Sequence, residues 1–490
     1  MTKILKRFLL LTLVVLTVTS CGGEGKKKSL SSAEDLPGSV VGVMTGTCYD
    51  IMLSKREGVK VMRYNTITDM IAAVSQGRAD CFVCDEFVIN SDVSRENHLR
   101  KAFYTEEGFP CSFAFRKEDV AMVDTMTAMI RELRASGELE AIIDKWLNGS
   151  DYSSIAMTTD GQPEPTGKPL VVGVCENMAP LLFTVGSEWH GLEPELMQLF
   201  AHRIGRPMEV KYMDFAAMSA ALQTGAIDVM ASGIFVTEER KKVFLFPEPY
   251  MECRGAYIVL DEERGEGEGF WAGMKKSFNN NLLVENRWKF LADGLLVTIE
   301  ITLLSILFGI ALGVGLYLMR RSRRRWARSV AKVYGEFMRG IPVVVLLMIL
   351  FYVVLTGMNA VLVAVVAFSM MFADFVAEIM VTSVESVGRG QQEAGVAMGF
   401  SQWKTFRYII GPQALRRALP HFKSEAVSLI KNTSIVGYIA IQDITRAGDM
   451  IRSRTFEAFF PLLVVTVIYF LLAWLLSKLI ECLFKLAMKI

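Results

Sequence analysis

Apolar and polar positions alternate in two different ways along this chain. Up to about Phe270, apolar residues come in short groups interrupted by charged and polar ones; after Gly294 they run together in long stretches. The first pattern is that of a water-soluble globular protein. The second is that of a membrane-embedded one, because a spanning helix needs about 20 consecutive apolar residues. Across 169–260 strand-like and helix-like periods alternate: PLVVGV, then PELMQLFAHRIG, then MEVKYM, then AAMSAALQTGAIDVMASG. Such alternation predicts an α/β architecture. The apolar stretches at 294–319, 341–355, 361–375, 426–444 and 459–479 predict five spans, the fourth weak because Lys431 lies inside it.

Charge sets the direction of these spans. RRSRRRWAR follows the first stretch at once, and positive residues stay on the cytoplasmic side. The first span therefore runs inward from outside, and five spans leave the carboxyl end, with Lys485 and Lys489, in the cytoplasm. Glu300, Asp374 and Glu378 are costly in hydrocarbon, so they are expected at a helix interface, a cavity or the headgroups.

The amino-terminal end has Lys3, Lys6 and Arg7, an apolar run over 8–18, then Thr19, Ser20 and Cys21, the layout of a secretory signal with small residues at the cut. An uncleaved signal anchor is the alternative; in both cases the residues after it face outside. GGEGKKKSLSS then reads as a flexible polar tether. Six of the 8 cysteines (Cys48, Cys81, Cys84, Cys111, Cys175 and Cys253) fall in this exported half, where oxidation is permitted. Spacing does not say which pair. Cys81 and Cys84, in the strand-like run CFVC, read as buried thiols, with a disulfide or metal site as the alternative. The 4 histidines are scattered and form no metal constellation, and a formal net charge of +1 argues against a nucleic-acid partner. Neither a metal nor a cofactor is expected.

Between the third and fourth stretches, GRGQQEAGVAMGFSQWKTFRYIIGPQALRRALP is too polar to span and shows two half-helical patterns joined at Gly399. Gly390, Gln391, Glu393, Ala394 and Gly399, with Pro412, Gln413, Ala414 and Pro420, resemble the EAA loop of binding-protein-dependent ABC permeases. FMRGIP resembles the FRGTP, and KNTSIV the KxTSL, of the polar amino-acid branch, with Ile341 departing from the usual threonine. The resemblance covers essentially all of 290–485. It implies that Glu393, Ala394, Gly395 and Gly399 form a coupling loop that inserts into a separate cytoplasmic ABC ATPase, and that the permease works in the bacterial inner membrane as a dimer, expected to be a homodimer, with pairing to a related permease as the alternative. Separately, VTSC resembles a bacterial lipobox, which implies that Cys21 is lipidated and held by membrane lipid. A wedge that moves with its partner would bias a two-state permease. An amphipathic helix lying on the membrane is the plainer reading.

LQTGAIDVMASGIFVTEERKKVFLFPEPY resembles the first lobe of family 3 periplasmic solute-binding proteins for polar amino acids. In 35–147, DLPGSVVGVMTGTCYD, GRADCFVCD and FAFRKED with SGELEAIIDKW resemble the second lobe and its closing segment, in reversed order. The resemblance thus implies an α/β two-lobed periplasmic-binding-protein-like domain, circularly permuted, followed by an all-α transmembrane permease domain of five helices. The expected divisions are 1–28 signal and tether, 29–150 second lobe and closing segment, 151–168 linker, 169–262 first lobe, 263–289 connector and 290–490 permease. Two receptor remnants pairing across a dimer remain the alternative to one permuted receptor.

A zwitterion needs a cation, an anion, neutral donors and walls that exclude water. The resemblance assigns Arg240 to the ligand carboxylate, with help from backbone near Gly233 and from Thr47; Asp85 to the ammonium; and Phe215 and Met178 to the walls. Arg240 could instead be a surface charge beside Lys241 and Lys242, Asp85 a turn cap, and Phe215 and Met178 core residues. Phe235 stands where the family commonly has threonine. No GxxxxGK[ST] phosphate loop occurs, so ATP hydrolysis falls to another polypeptide and no catalytic centre is expected. A ligand-gated channel would not use an ATPase-docking loop. An amino-acid sensor built on a degenerate permease is the alternative to an importer.

Overall fold

The computed structural model of the 490-residue chain describes residues 30–89, 93–94, 97–149, 152–175, 177, 179–185, 188–261 and 270–487. The signal region with Cys21, and Met178, lie outside them. The chain divides into two compact units. The first comprises residues up to Ser112 together with 235–242 and 248–269; the second comprises 113–234, 243–247 and 270 onward.

In the first unit, Val-rich β1 (Val40–Met44) pairs in parallel with β2 (Lys60–Tyr64) and β3 (Cys81–Asp85). Helices α1 (Cys48–Ser54) and α2 (Ile67–Ser75) make the crossovers. Each starts where a threonine can cap it: Thr47 accepts from Asp50 N, and Thr66 from Asp69 N. The long strands β4 (Leu99–Ala114) and β10 (Met251–Leu260) run antiparallel to each other, and β10 is also antiparallel to β3. Val41, Val43, Phe82, Ile71 and Ile258 fill the core.

In the second unit, α3 (Val120–Ser136) and α4 (Glu138–Leu147) accompany a small parallel sheet of β5 (Leu170–Val174), β8 (Met208–Tyr212) and β9 (Val229–Phe235), with β5 central. A hairpin of β6 (Phe183–Val185) and β7 (Glu188–His190) precedes α5 (Leu192–Arg203), and α6 (Phe215–Gln223) connects β8 to β9. The alternation expected across 169–260 is realised. Glu195, fully buried on α5, accepts hydrogen bonds from Lys145 Nζ, Trp146 Nε1 and Thr158, pinning both α4 and the segment after it.

The same unit contains the helical region. Among the described residues three helices are long and apolar enough to cross a membrane: α7 (Trp288–Arg320), α10 (Ala360–Glu385) and α14 (Phe459–Ala487). A fourth span is available if α8 (Arg325–Gly340) and the stretch beginning with α9 (Val343–Ile349) count as one, bent by 107° at Ile341-Pro342. Proline lacks the N–H that a continuous helix needs, which places the break. The five expected stretches differ at the fourth. Residues 426–444 form the end of α12 (Gly411–Asn432), a 3-10 turn (Thr433–Ile439) and an irregular connection, not one continuous apolar helix. Between lie α11 (Arg389–Ala397) and, after α12, α13 (Ile444–Thr455). Met213 after β8, Met218 and Leu222 on α6 and Met230 on β9 share one continuous apolar cluster with Phe368, Phe372, Val436 and Ile439 of the helical region.

Candidate functional site

The parallel register of β1 and β3, with Val41 opposite Cys81, brings their carboxyl ends to one edge of the first unit's sheet. Asp85 ends β3 there, and the turn after β1 delivers Gly46, Thr47 and the start of α1. Strand ends of this kind are where open α/β sheets bind ligands. The hydroxyl of Tyr49, the second residue of α1, donates to Asp85 Oδ1 at 2.7 Å. Its buried ring meets Phe109 and Phe235 edge-on, at centroid distances of 6.2 and 5.8 Å. Phe235, the departure from threonine, thus supplies an apolar wall in place of a hydroxyl.

Arg240 lies in a short helix (Glu238–Lys241) capped by Thr237, which accepts from its backbone N–H. Its guanidinium donates to Phe235 O at 3.0 Å and, at 3.5 Å, to Gly46 O. Burial pushes the Asp85 carboxyl up to about 6, with Glu86 adding to it, against the Tyr49 hydrogen bond and the Arg240 charge. The Cys48 thiol and Tyr49 phenol are also driven upward, first by burial and then by Asp85. This edge therefore holds a guanidinium, a carboxyl that titrates near neutrality, and aromatic rings around them.

Arg240, Asp85 and Thr47 belong together in the first unit. Thr47 is partly committed: its hydroxyl donates to Met44 O at 2.7 Å while accepting from Asp50 N. Tyr49 and Cys48 belong to the same group and were not anticipated; nothing in the spacing links Tyr49 to a carboxylate 36 residues on. Gly233 and Phe215 belong to the second unit. The Gly233 N–H, expected to face a ligand carboxylate, donates instead to Glu193 Oε1 at 2.9 Å, and Ser232 N to Glu193 Oε2 at 2.7 Å. A fully buried protein carboxylate thus occupies those donors. Phe215 is half-buried and packs against the unit's apolar cluster. Two further sulfur atoms meet in the first unit, Cys111 Sγ and Cys253 Sγ, at 2.7 Å. Cys81 and Cys84 are buried in β3.

The polar loop folds as a helix–turn–helix. α11 ends where Gly399 takes φ +82°, a left-handed turn that glycine adopts without a Cβ penalty. Gly395 is the inward residue: a Cβ there would stand 2.5 Å from Thr405 Cγ2. Glu393 and Ala394 are exposed, and so are Val396, Met398 and Trp403, an unusual apolar group on a charged loop. Gln413 on α12 donates to Gln391 on α11.

Acidic residues in the apolar helices find arginines at helix ends. Asp374, 2% exposed, receives Arg320 at 2.6 Å and Arg339 at 2.8 Å, and Glu378 pairs with Arg320 at 2.6 Å. The helix-interface expectation is met for Asp374. Glu300 instead lies on the exposed side of α7 in the single chain.

Comparison with known proteins gives two family matches: "Binding-protein-dependent transport system inner membrane component" over residues 305–486, and "Bacterial extracellular solute-binding proteins, family 3" over 170–387. Among curated relatives, the chain is 33% identical over 195 residues to the probable amino-acid ABC transporter permease protein YckA of Bacillus subtilis, covering 39% of this chain and 86% of that protein. It is 34% identical over 202 residues to the L-cystine transport system permease protein TcyB of the same organism, 40% and 86% of the two. A solved amino acid ABC transporter with histidines is 28% identical, covering 45% of this chain and 99% of that one, at a TM-score of 0.39.

Proposed function

Because the chain belongs to the family of binding-protein-dependent inner-membrane transport components and also carries a family 3 solute-binding domain, we propose that it is the capture and permeation subunit of an importer for polar amino acids, powered by a separate ABC ATPase. The observation that carries the substrate class is the meeting of Arg240 and Asp85 at one strand edge, a cation and an anion for the two ends of a zwitterion. Arg240 grips the α-carboxylate, Asp85 the ammonium, and Phe235, Phe109 and Tyr49 exclude water. Thr47 shapes the turn beside them, its hydroxyl and backbone N–H both bonded to Met44 O.

The rest of the reading follows the family. The first unit and the sheet of β5, β8 and β9 supply the two lobes of one circularly permuted receptor outside the bacterial inner membrane, held by the signal segment with Cys21 lipidated. The helical region pairs with a second copy in the bilayer as the permease. The exposed apolar group on α11 and beyond, with Glu393, enters the ATPase. Gly395 and Gly399 give that wedge its shape.

The test is uptake of radiolabelled amino acids into proteoliposomes holding the full chain and its ATPase. Gly395→Val, which drives a side chain into Thr405, is expected to abolish uptake while ligand affinity stays unchanged. Uptake at the wild-type rate would contradict the coupling role. A wild-type chain that binds an amino acid but never accumulates it would make it a sensor.

A further inference from the structure

A set of polar contacts in the second unit joins the region of the small sheet to the helical region, and they converge on α13. Arg446, 7% exposed, donates through Nη1 to Asp214 Oδ1 at 2.9 Å, at the N-cap of α6, and through Nη2 to Gly437 O. Its guanidinium also covers the Tyr212 ring at 5.1 Å. One and two turns further on, the Met450 carbonyl accepts from Asn177 Nδ2 at 3.3 Å and Ser453 Oγ lies 3.2 Å from the Tyr212 hydroxyl. Arg454, paired with Glu285, covers the Phe183 ring at 4.6 Å. Four sheet-side residues are thus read by one face of a twelve-residue helix.

The helix is itself seated firmly. Asp443 caps it, accepting from Arg446 N and from the Tyr469 hydroxyl on α14. A Cβ at Gly294 of α7 would stand 2.7 Å from the Asp443 backbone, so α7 and the start of α13 are as close as backbones allow. Behind these contacts the apolar cores of the sheet and of the helical region are continuous. A surface that a receptor leaves in every cycle resembles a transient interface, polar and hydrated; a fused apolar core with a desolvated arginine does not.

We infer that the β5–β8–β9 sheet is a stator: it stays seated on α13 through the transport cycle, and the solute is handed over without that lobe ever leaving the permease. Capture and release then fall to the first unit. The inference rests on the importer reading above, but the seat itself can be measured without transport.

The experiment uses the full chain with its ATPase in lipid nanodiscs and proteoliposomes, carrying Asp214→Cys and Arg446→Cys in a Cys175→Ser, Cys482→Ser background, since Cys482 is exposed and Cys175 partly so. A short bis-maleimide replaces the lost ion pair. Cross-linking is expected to reach completion equally in the resting state, with substrate and with ATP–vanadate, and the cross-linked chain is expected to keep uptake within about twofold of its uncross-linked control. Poor cross-linking, or a yield that collapses in any one state, overturns the inference. So does complete cross-linking that stops uptake. If the unmodified chain takes up no amino acid, the importer reading fails, and state-independent cross-linking still decides whether the lobe is fixed.

Discussion

Two charged clusters of this protein invite comparison: Asp85 with Tyr49 and Arg240 in the first unit, and Asp214 with Arg446 in the second. At Arg446 the charge meets a carboxylate, an aromatic face and a backbone carbonyl, with Asp449 4.0 Å away. At Asp85 the same accounting comes out differently: one phenolic hydrogen bond and the Arg240 charge stabilise a carboxylate whose burial still holds its pKa near 6. A charge held by several protein partners marks a scaffold, because exchanging them would leave a buried ion uncompensated. A carboxylate short of compensation marks a place where a ligand's cation adds stability that the protein alone does not supply.

The comparison breaks first at the seam. Asp214→Ala strands a buried guanidinium and is expected to cost about 2–3 kcal/mol, less than a fully buried pair because Asp214 is 41% exposed, while leaving ligand affinity unchanged. Chemical denaturation of the full chain measures the first and titration with ligand the second; an affinity loss instead would merge the two clusters into one site.

Next is pH. The Asp85 carboxyl is raised, so it is neutral below about 6 and ionised above. Only the ionised form attracts an ammonium. Affinity is therefore expected to fall about tenfold per pH unit below 6 and to level off above 7; a flat profile from pH 5 to 8 removes Asp85 from ligand contact.

The smallest effect sharpens the same point. Tyr49→Phe removes the hydrogen bond that lowers the Asp85 pKa, so the midpoint of that profile should move to higher pH. Affinity at pH 7 should fall a few-fold, with recovery at pH 8. A loss equal at both pH values would make Tyr49 a packing residue only.

Local pattern made much of this legible. The α/β alternation over 169–260, the left-handed turn at Gly399 and the apolar helices at 294–319 and 361–375 all follow from periodicity and glycine placement, which act over a few residues. Contacts across the chain were not legible. Tyr49 and Asp85 meet because β1 and β3 are parallel neighbours, and Arg446 finds Asp214 at a separation of 232 residues. Glu193 takes the Gly233 N–H for the same reason: a carboxylate on α5 reaches across to β9, and no spacing announces it. The break of 426–444 into a helix end and a 3-10 turn was foreshadowed only by Lys431.

The central claim is that Arg240 and Asp85 read the two ends of an amino acid. It is tested most directly by thermal shift and equilibrium binding of the full chain in nanodiscs against the common amino acids, wild type beside Arg240→Ala. The account predicts a saturable upward shift with at least one polar amino acid and an affinity at least about a hundredfold weaker in Arg240→Ala, since stranding a ligand carboxylate without its cation costs about 3 kcal/mol or more. Retained affinity in that variant, or a folded chain that responds to no amino acid, would contradict it.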